Sequence, residues 1–183
     1  MNILSTLTIL FMITLTSCAK TDLQVTNPYN IYKFPLKNSF IALSPLPGRV
    51  DIESDLKMIN ENEITNVVTL VSTEELTHYG VPDLLNRFEN SGIEVLHSPI
   101  ADYGLPGADQ MKTILIWVHK KVKAKENILI HCVGGLGRSG TVMAVYAKAY
   151  LGKTGEDAIQ FVRSIRGQDA IETAEQQNFV ITW

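Results

Sequence analysis

The most constraining stretch of this chain lies between residues 128 and 151. Ile128-Leu129-Ile130 is an unbroken apolar run, and Val142 to Leu151 is apolar almost all round. A strand apolar on both faces needs cover on both faces, and a helix apolar on every side belongs at the centre of a domain. Between the two lies His131-Cys132-Val133-Gly134-Gly135-Leu136-Gly137-Arg138-Ser139-Gly140, with three glycines in the four positions 134–137. A buried strand joined through a glycine-rich turn to a buried helix is a building unit of layered α/β domains.

The rest of the chain supplies the other layers. Phe40-Ile41-Ala42-Leu43 predicts a short strand stopped by Pro45 and Pro47-Gly48. Val67 to Val71 is a β-branched run that predicts a strand covered on both sides, and Ile93 to His97 predicts another. Helices are predicted over Asp51 to Asn60, over Pro82 to Asn90 with Gly92 closing it, and where Met111, Ile114, Leu115, Val118 and Val122 recur. Another follows the capping pattern Thr154-Gly155-Glu156-Asp157, and a last one starts near Thr173. Strands alternating with helices predict an α/β fold with a central, mostly parallel twisted sheet flanked by helices. At 183 residues the length suits one domain.

Composition excludes several classes. Sixteen Lys+Arg against nineteen Asp+Glu give a formal charge of −3, which argues against a general nucleic-acid binder. Two cysteines make no disulfide framework, and no Cys/His cluster has zinc spacing. The N-terminal segment reads separately. Residues 1–19 carry no charged side chain, and the apolar stretch Ile3 to Leu15 ends in Leu15-Thr16-Ser17-Cys18-Ala19. An apolar segment followed by small residues is the pattern of a secretory signal. Leu-Thr-Ser-Cys resembles the lipobox of bacterial lipoproteins, although Met1-Asn2 lacks the usual basic residue. The expected organisation is a signal peptide over 1–17, a linker over 18–38, and one domain over 39–183, with Cys18 lipidated. The expected location is the non-cytoplasmic side of a bacterial membrane, or the cytoplasm if the signal is not processed.

The glycine-rich turn carries the chemistry. Its backbone N–H groups can point inward together, and the helix beginning near Arg138 adds free N–H groups and the positive end of its dipole. This is a cradle for a tetrahedral dianion, onto which Arg138 can fork two N–H groups. The field that holds a phosphate also stabilises a thiolate, and Cys132 lies at the foot of the cradle.

This decamer fits the Cys-x5-Arg signature of the protein tyrosine phosphatase superfamily. It resembles most the small dual-specificity phosphatases of the cyclin-dependent-kinase-associated type, over most of residues 40–183. Leu46-Pro47-Gly48, Val81-Pro82-Asp83-Leu84-Leu85, Pro99-Ile100-Ala101-Asp102 and Ala170-Ile171-Glu172-Thr173 carry that resemblance. It implies phosphomonoester hydrolysis through a cysteinyl-phosphate on phosphorylated proteins or peptides, with no cofactor and no metal. Cys132 is then the nucleophile, and Val133, Gly134, Gly135, Leu136, Gly137 and Arg138 bind the phosphate. Ser139 stabilises the departing thiolate, and His131 orients the loop. Asp102, on a Gly/Pro-bounded loop, is the general acid, with Asp109 as the runner-up that instead caps the helix starting near Gln110. Gln176 aligns with a water-positioning glutamine of some relatives, and Gln177 could serve equally. His78, His97 and His119 are expected in packing or surface roles. The loop 133–137 has no lysine, unlike inositol-phospholipid phosphatases, which points to a pocket taking both phosphotyrosine and phosphoserine/threonine. The alternatives are a catalytically weak phospho-binding module, a phosphatase of a non-protein phosphomonoester, and a rhodanese-like sulfurtransferase. A monomer is the expected state.

Overall fold

A computed structural model of the protein describes residues 29–183. The signal over 1–17, Cys18 and the first part of the expected linker lie outside the described residues. The chain runs β1 Tyr32–Pro35, β2 Phe40–Ser44, α1 Ile52–Glu61, β3 Ile64–Thr69, α2 Thr73–His78, α3 Leu84–Asn90, β4 Glu94–His97, α4 Ala108–Lys123, β5 Asn127–His131, α5 Gly137–Tyr150, α6 Gly155–Arg166 and α7 Ala174–Thr182. The sheet order is β1-β2-β5-β3-β4, with β1 antiparallel to β2 and every other pair parallel.

Side chains alternate across the sheet and divide the core in two. Ile41, Leu43, Val68, Ile128 and Ile130 face α4, α5, α6 and α7. Ala42, Val67 and Leu129 face α1, α2 and α3. The central strand β5 is thus covered on both faces, as its unbroken apolar run requires. Its last residue, His131, lies in register with Ser44 of β2 and Thr69 of β3. Three strands therefore end together around the glycine-rich turn. In open α/β sheets this carboxyl edge is where ligands bind.

The domain starts earlier than residue 39. Residues 32–35, expected as linker, form the edge strand β1, with Tyr32 opposite Leu43 and Pro35 opposite Phe40. Phe34 is fully buried and packs edge-on against Phe161 of α6 at 5.4 Å. An edge strand tolerates Pro35, because proline removes a donor that an outer strand can do without. Asp109 does not cap α4. Gly107 is the N-cap, and Asp109 sits exposed in the first turn against Lys112 at 3.2 Å. The burial of α5 runs only from Gly137 to Ala147, leaving its last turn at the surface. A short helix with no sequence-based expectation, α2, is held by a capping box between Ser72 and Glu75.

If β1 belongs to the domain, Phe34→Ala should cost about 3–5 kcal/mol of stability in denaturant unfolding, the usual range for a buried phenylalanine. A loss below about 1 kcal/mol would put residues 32–35 back in the linker.

Candidate active site

The turn after β5 is shaped by close backbone approaches. Gly135 has φ +68, and a Cβ there would collide with the Ser44 carbonyl. A Cβ on Gly137 would run into the Glu172 carboxylate and the Gln176 amide. At 135 only glycine fits, because the clash is with backbone and φ is positive; at 137 a larger residue would have to push the ends of the Glu172 and Gln176 side chains aside. No side chain caps α5, so the N–H groups of its first turn remain available to an anion.

Cys132 is 2% exposed. Its Sγ accepts from the Gly135 N–H at 3.2 Å and lies 3.5 Å from Ser139 Oγ. The turn thus bends its own backbone donor onto the sulfur.

Arg138 is nearly sealed from water, with its side chain 1% exposed. Its Nη1 donates to both Glu75 carboxylate oxygens at 2.9 and 3.0 Å and to the Ile100 carbonyl at 2.9 Å. Glu75 is itself fixed, because Oε2 accepts from the Ser72 N–H at 2.9 Å. The other end of the guanidinium differs. Nη2 lies 2.9 Å from Asp102 Oδ1 in an ion pair, off the line of its N–H bonds, and has no directed hydrogen bond. One side of the fork is anchored by three acceptors, and the other has the Asp102 ion pair alone.

Asp102 sits on the segment between β4 and α4, its side chain about half exposed. Gly104 donates to the Ala101 carbonyl at 2.8 Å, and Tyr103 adopts φ +55, so the segment turns tightly under the carboxylate. Gln176 reaches this segment from α7. It is fully buried, its Nε2 donates to the Gly104 carbonyl at 3.3 Å, and its Oε1 accepts from the Thr173 N–H. Gln177 instead donates to the Ile171 carbonyl, so of the pair only Gln176 faces the cradle. Asp109 has no place in the cluster. A cavity of about 590 Å³ opens between α2 and the Asp102 segment.

His131 is fully buried, with Nε2 at 2.8 Å from Thr69 Oγ1. Burial pushes its pKa down to about 3, so the ring is neutral. With Nδ1 donating to the Cys132 carbonyl at 3.4 Å, Nε2 accepts the Thr69 hydroxyl proton. The neutral ring braces the strand end beneath the sulfur. The other histidines have packing or surface roles. His97 bonds the Val71 carbonyl, His119 stacks on Tyr150 at 3.9 Å, and His78 sits edge-on to Tyr79.

Known proteins share this layout. The family model described as "Polymorphic toxin system, DSP-PTPase phosphatase" matches residues 44–156, which span Asp102, Cys132 and Arg138. The chain belongs to the dual-specificity protein tyrosine phosphatases. The phosphatase is similar to the human cyclin-dependent kinase inhibitor 3, at 34% identity over 78% of this chain and 71% of the relative. Its structure is similar to that of a kinase associated phosphatase whose catalytic-site cysteine is replaced by serine. That match has a TM-score of 0.79 at 31% identity and covers 85% of this chain and 93% of the other. The active form of Tk-PTP matches with a TM-score of 0.68 at 32% identity, over 82% of this chain and 93% of that one. The phosphatase is a cysteine-dependent hydrolase of dual-specificity type.

Glu75 and Thr69 escaped the sequence reading, yet one anchors Arg138 and the other holds His131. The capping pattern Ser72-Thr73-Glu74-Glu75 was the available signal for the first.

The neutral His131 has a consequence for acid stability. An unfolded imidazole takes a proton near pH 6.5, whereas the folded one stays neutral down to about 3. The unfolded state binds the extra proton in that window, so stability falls as pH drops through it, by up to about 1.4 kcal/mol per unit. His131→Asn should lose less stability than the parent between pH 7 and pH 5 in urea unfolding. An identical loss in both proteins would mean that the folded ring takes up its proton over the same pH range as the unfolded one.

Proposed function

We propose that Cys132 Sγ attacks the phosphorus of a phosphomonoester seated on the loop 133–137, with Arg138 Nη2 and the loop N–H groups holding its oxygens. The observation that carries this reading is the half-committed Arg138 guanidinium beside a sulfur that already accepts a loop N–H. The new S–P bond forms as the P–O bond breaks, and its electron pair goes to the leaving oxygen. Asp102 delivers the proton that oxygen needs. Water then attacks the phosphocysteine, Asp102 takes the water proton, and the thiolate leaves toward Ser139 Oγ, 3.5 Å away. Gln176 holds the Asp102 segment against α7. The natural substrate class in this reading is phosphorylated protein, on tyrosine and on serine or threonine, since the loop carries no lysine to favour inositol phosphates.

We also propose that the mature chain begins at a lipidated Cys18 and acts on the non-cytoplasmic side of a bacterial membrane. The charge-free segment 1–19 and Leu15-Thr16-Ser17-Cys18 support this.

Cys132→Ser should abolish turnover of p-nitrophenyl phosphate. Asp102→Asn separates substrates by leaving group, because an alkoxide needs nearly a full proton and p-nitrophenolate needs little. It should slow phosphoserine-peptide hydrolysis by roughly 10²–10⁴-fold and p-nitrophenyl phosphate much less. It should also flatten the alkaline limb of the pH profile. Equal slowing of both substrates with the bell shape intact would move the acid elsewhere. Cys18→Ser should end labelling by a fatty-acid probe and release the protein from the membrane fraction, and unchanged membrane association would sink the anchor.

A further inference from the structure

A loop that turns its N–H groups toward an anion turns its carbonyls outward, and outward carbonyls need donors of their own. Around this cradle the backbone supplies two. The Val133 carbonyl accepts from Leu46 N at 3.0 Å, and the Leu136 carbonyl accepts from Gly140 N at 3.1 Å and Ile171 N at 3.3 Å. The two carbonyls between them are bonded by one side chain from the last turn of α6. Arg166 Nη2 donates to the Gly134 carbonyl at 2.8 Å and Nε to the Gly135 carbonyl at 2.7 Å. These two nitrogens lie on one edge of a rigid plane, so they hold two successive peptides in fixed relation, which a lysine cannot do. The guanidinium lies over the Tyr32 ring of β1, 4.2 Å from its centroid.

The peptide joining Gly134 to Gly135 links this cation to the nucleophile. Its carbonyl accepts from Arg166, and its N–H donates to Cys132 Sγ at 3.2 Å. A hydrogen bond to the oxygen of an amide polarises the amide and strengthens what its N–H donates. We propose that Arg166 is a positioning residue of the cradle, which sets the Gly134 and Gly135 peptides and reinforces the N–H bond that holds the Cys132 thiolate. The inference rests on Cys132 being the nucleophile. The other charged or titratable groups about the sulfur are Arg138 with its partners Glu75 and Asp102, Glu172 beside Gly137, and neutral His131 on the strand. None of them bonds this peptide.

The test compares the full chain with Arg166→Met and Arg166→Lys. Iodoacetamide alkylation at Cys132 is followed by peptide mass from pH 5.5 to 8, alongside kcat and KM for p-nitrophenyl phosphate. Loss of one hydrogen bond behind the sulfur should slow alkylation of Arg166→Met at pH 6 by roughly 3- to 10-fold. Its alkylation profile should move to higher pH and its KM should rise. Arg166→Lys, which reaches one carbonyl at a time, should fall between the two. A folded Arg166→Met that alkylates with the parent's pH profile overturns the proposal even if turnover falls, because a mere staple leaves that profile in place. If Arg166→Met does not fold, Arg166→Lys decides by the same criterion. Cys132→Ser run in parallel keeps the two readings apart. Turnover in that variant removes the nucleophile assignment, while alkylation of the parent and the Arg166 variants still reports on the sulfur.

Discussion

Arg138 carries a full charge at 1% side-chain exposure, and a charge so far from water stands only if it is paired. Much of the site follows from that requirement. Glu75 has to be delivered to Nη1, which is the task of the short helix α2 and its capping box. The Ile100 carbonyl has to face the same atom, which fixes the path of the chain as it leaves β4. Asp102 then falls beside Nη2, two residues beyond that carbonyl. The guanidinium thereby gathers elements from both core layers, since α2 belongs to one and α5 to the other.

What was legible in the sequence was apolar patterning, whether an unbroken run or a helical stripe. Val67-Val68, Ile128-Leu129-Ile130 and the stripe from Met111 to Val118 announce burial through spacing alone, and the structure buries them as read. The anion cradle was legible for another reason. Its glycines, Cys132 and Arg138 are contiguous in the chain, so the constellation needs no folding to be seen. Glu75 lies far upstream of Arg138 on a six-residue helix with a single buried side chain, Leu76, and such a helix has no stripe to count. The strand β1 hid behind Pro35 and one buried residue, Phe34. Asp109 looked like a cap because helices favour aspartate there, but Gly107 took that position one residue ahead of the first turn.

The division of labour at the sulfur also becomes clear from geometry. His131 adjoins Cys132 in the chain, yet its ring turns to Thr69 and stays neutral. It fixes the end of β5 and takes no part in charge balance. Positive character reaches the sulfur through the Gly135 N–H, which is fixed in place before a substrate arrives.

The glycine-rich loop is continuous with α5, whose residues from Gly137 to Ala147 are all buried. Beyond its uncapped first turn the helix is bonded within itself and buried, so local fraying is disfavoured in this part of the site. Mutational tolerance is distributed accordingly. Met143 and Val145 are fully buried, so a volume change at either one costs packing energy in the helix that follows the loop. The turn carrying Tyr103 and Leu105 is by contrast exposed, so substitutions there change the surface beside Asp102 without loosening the core.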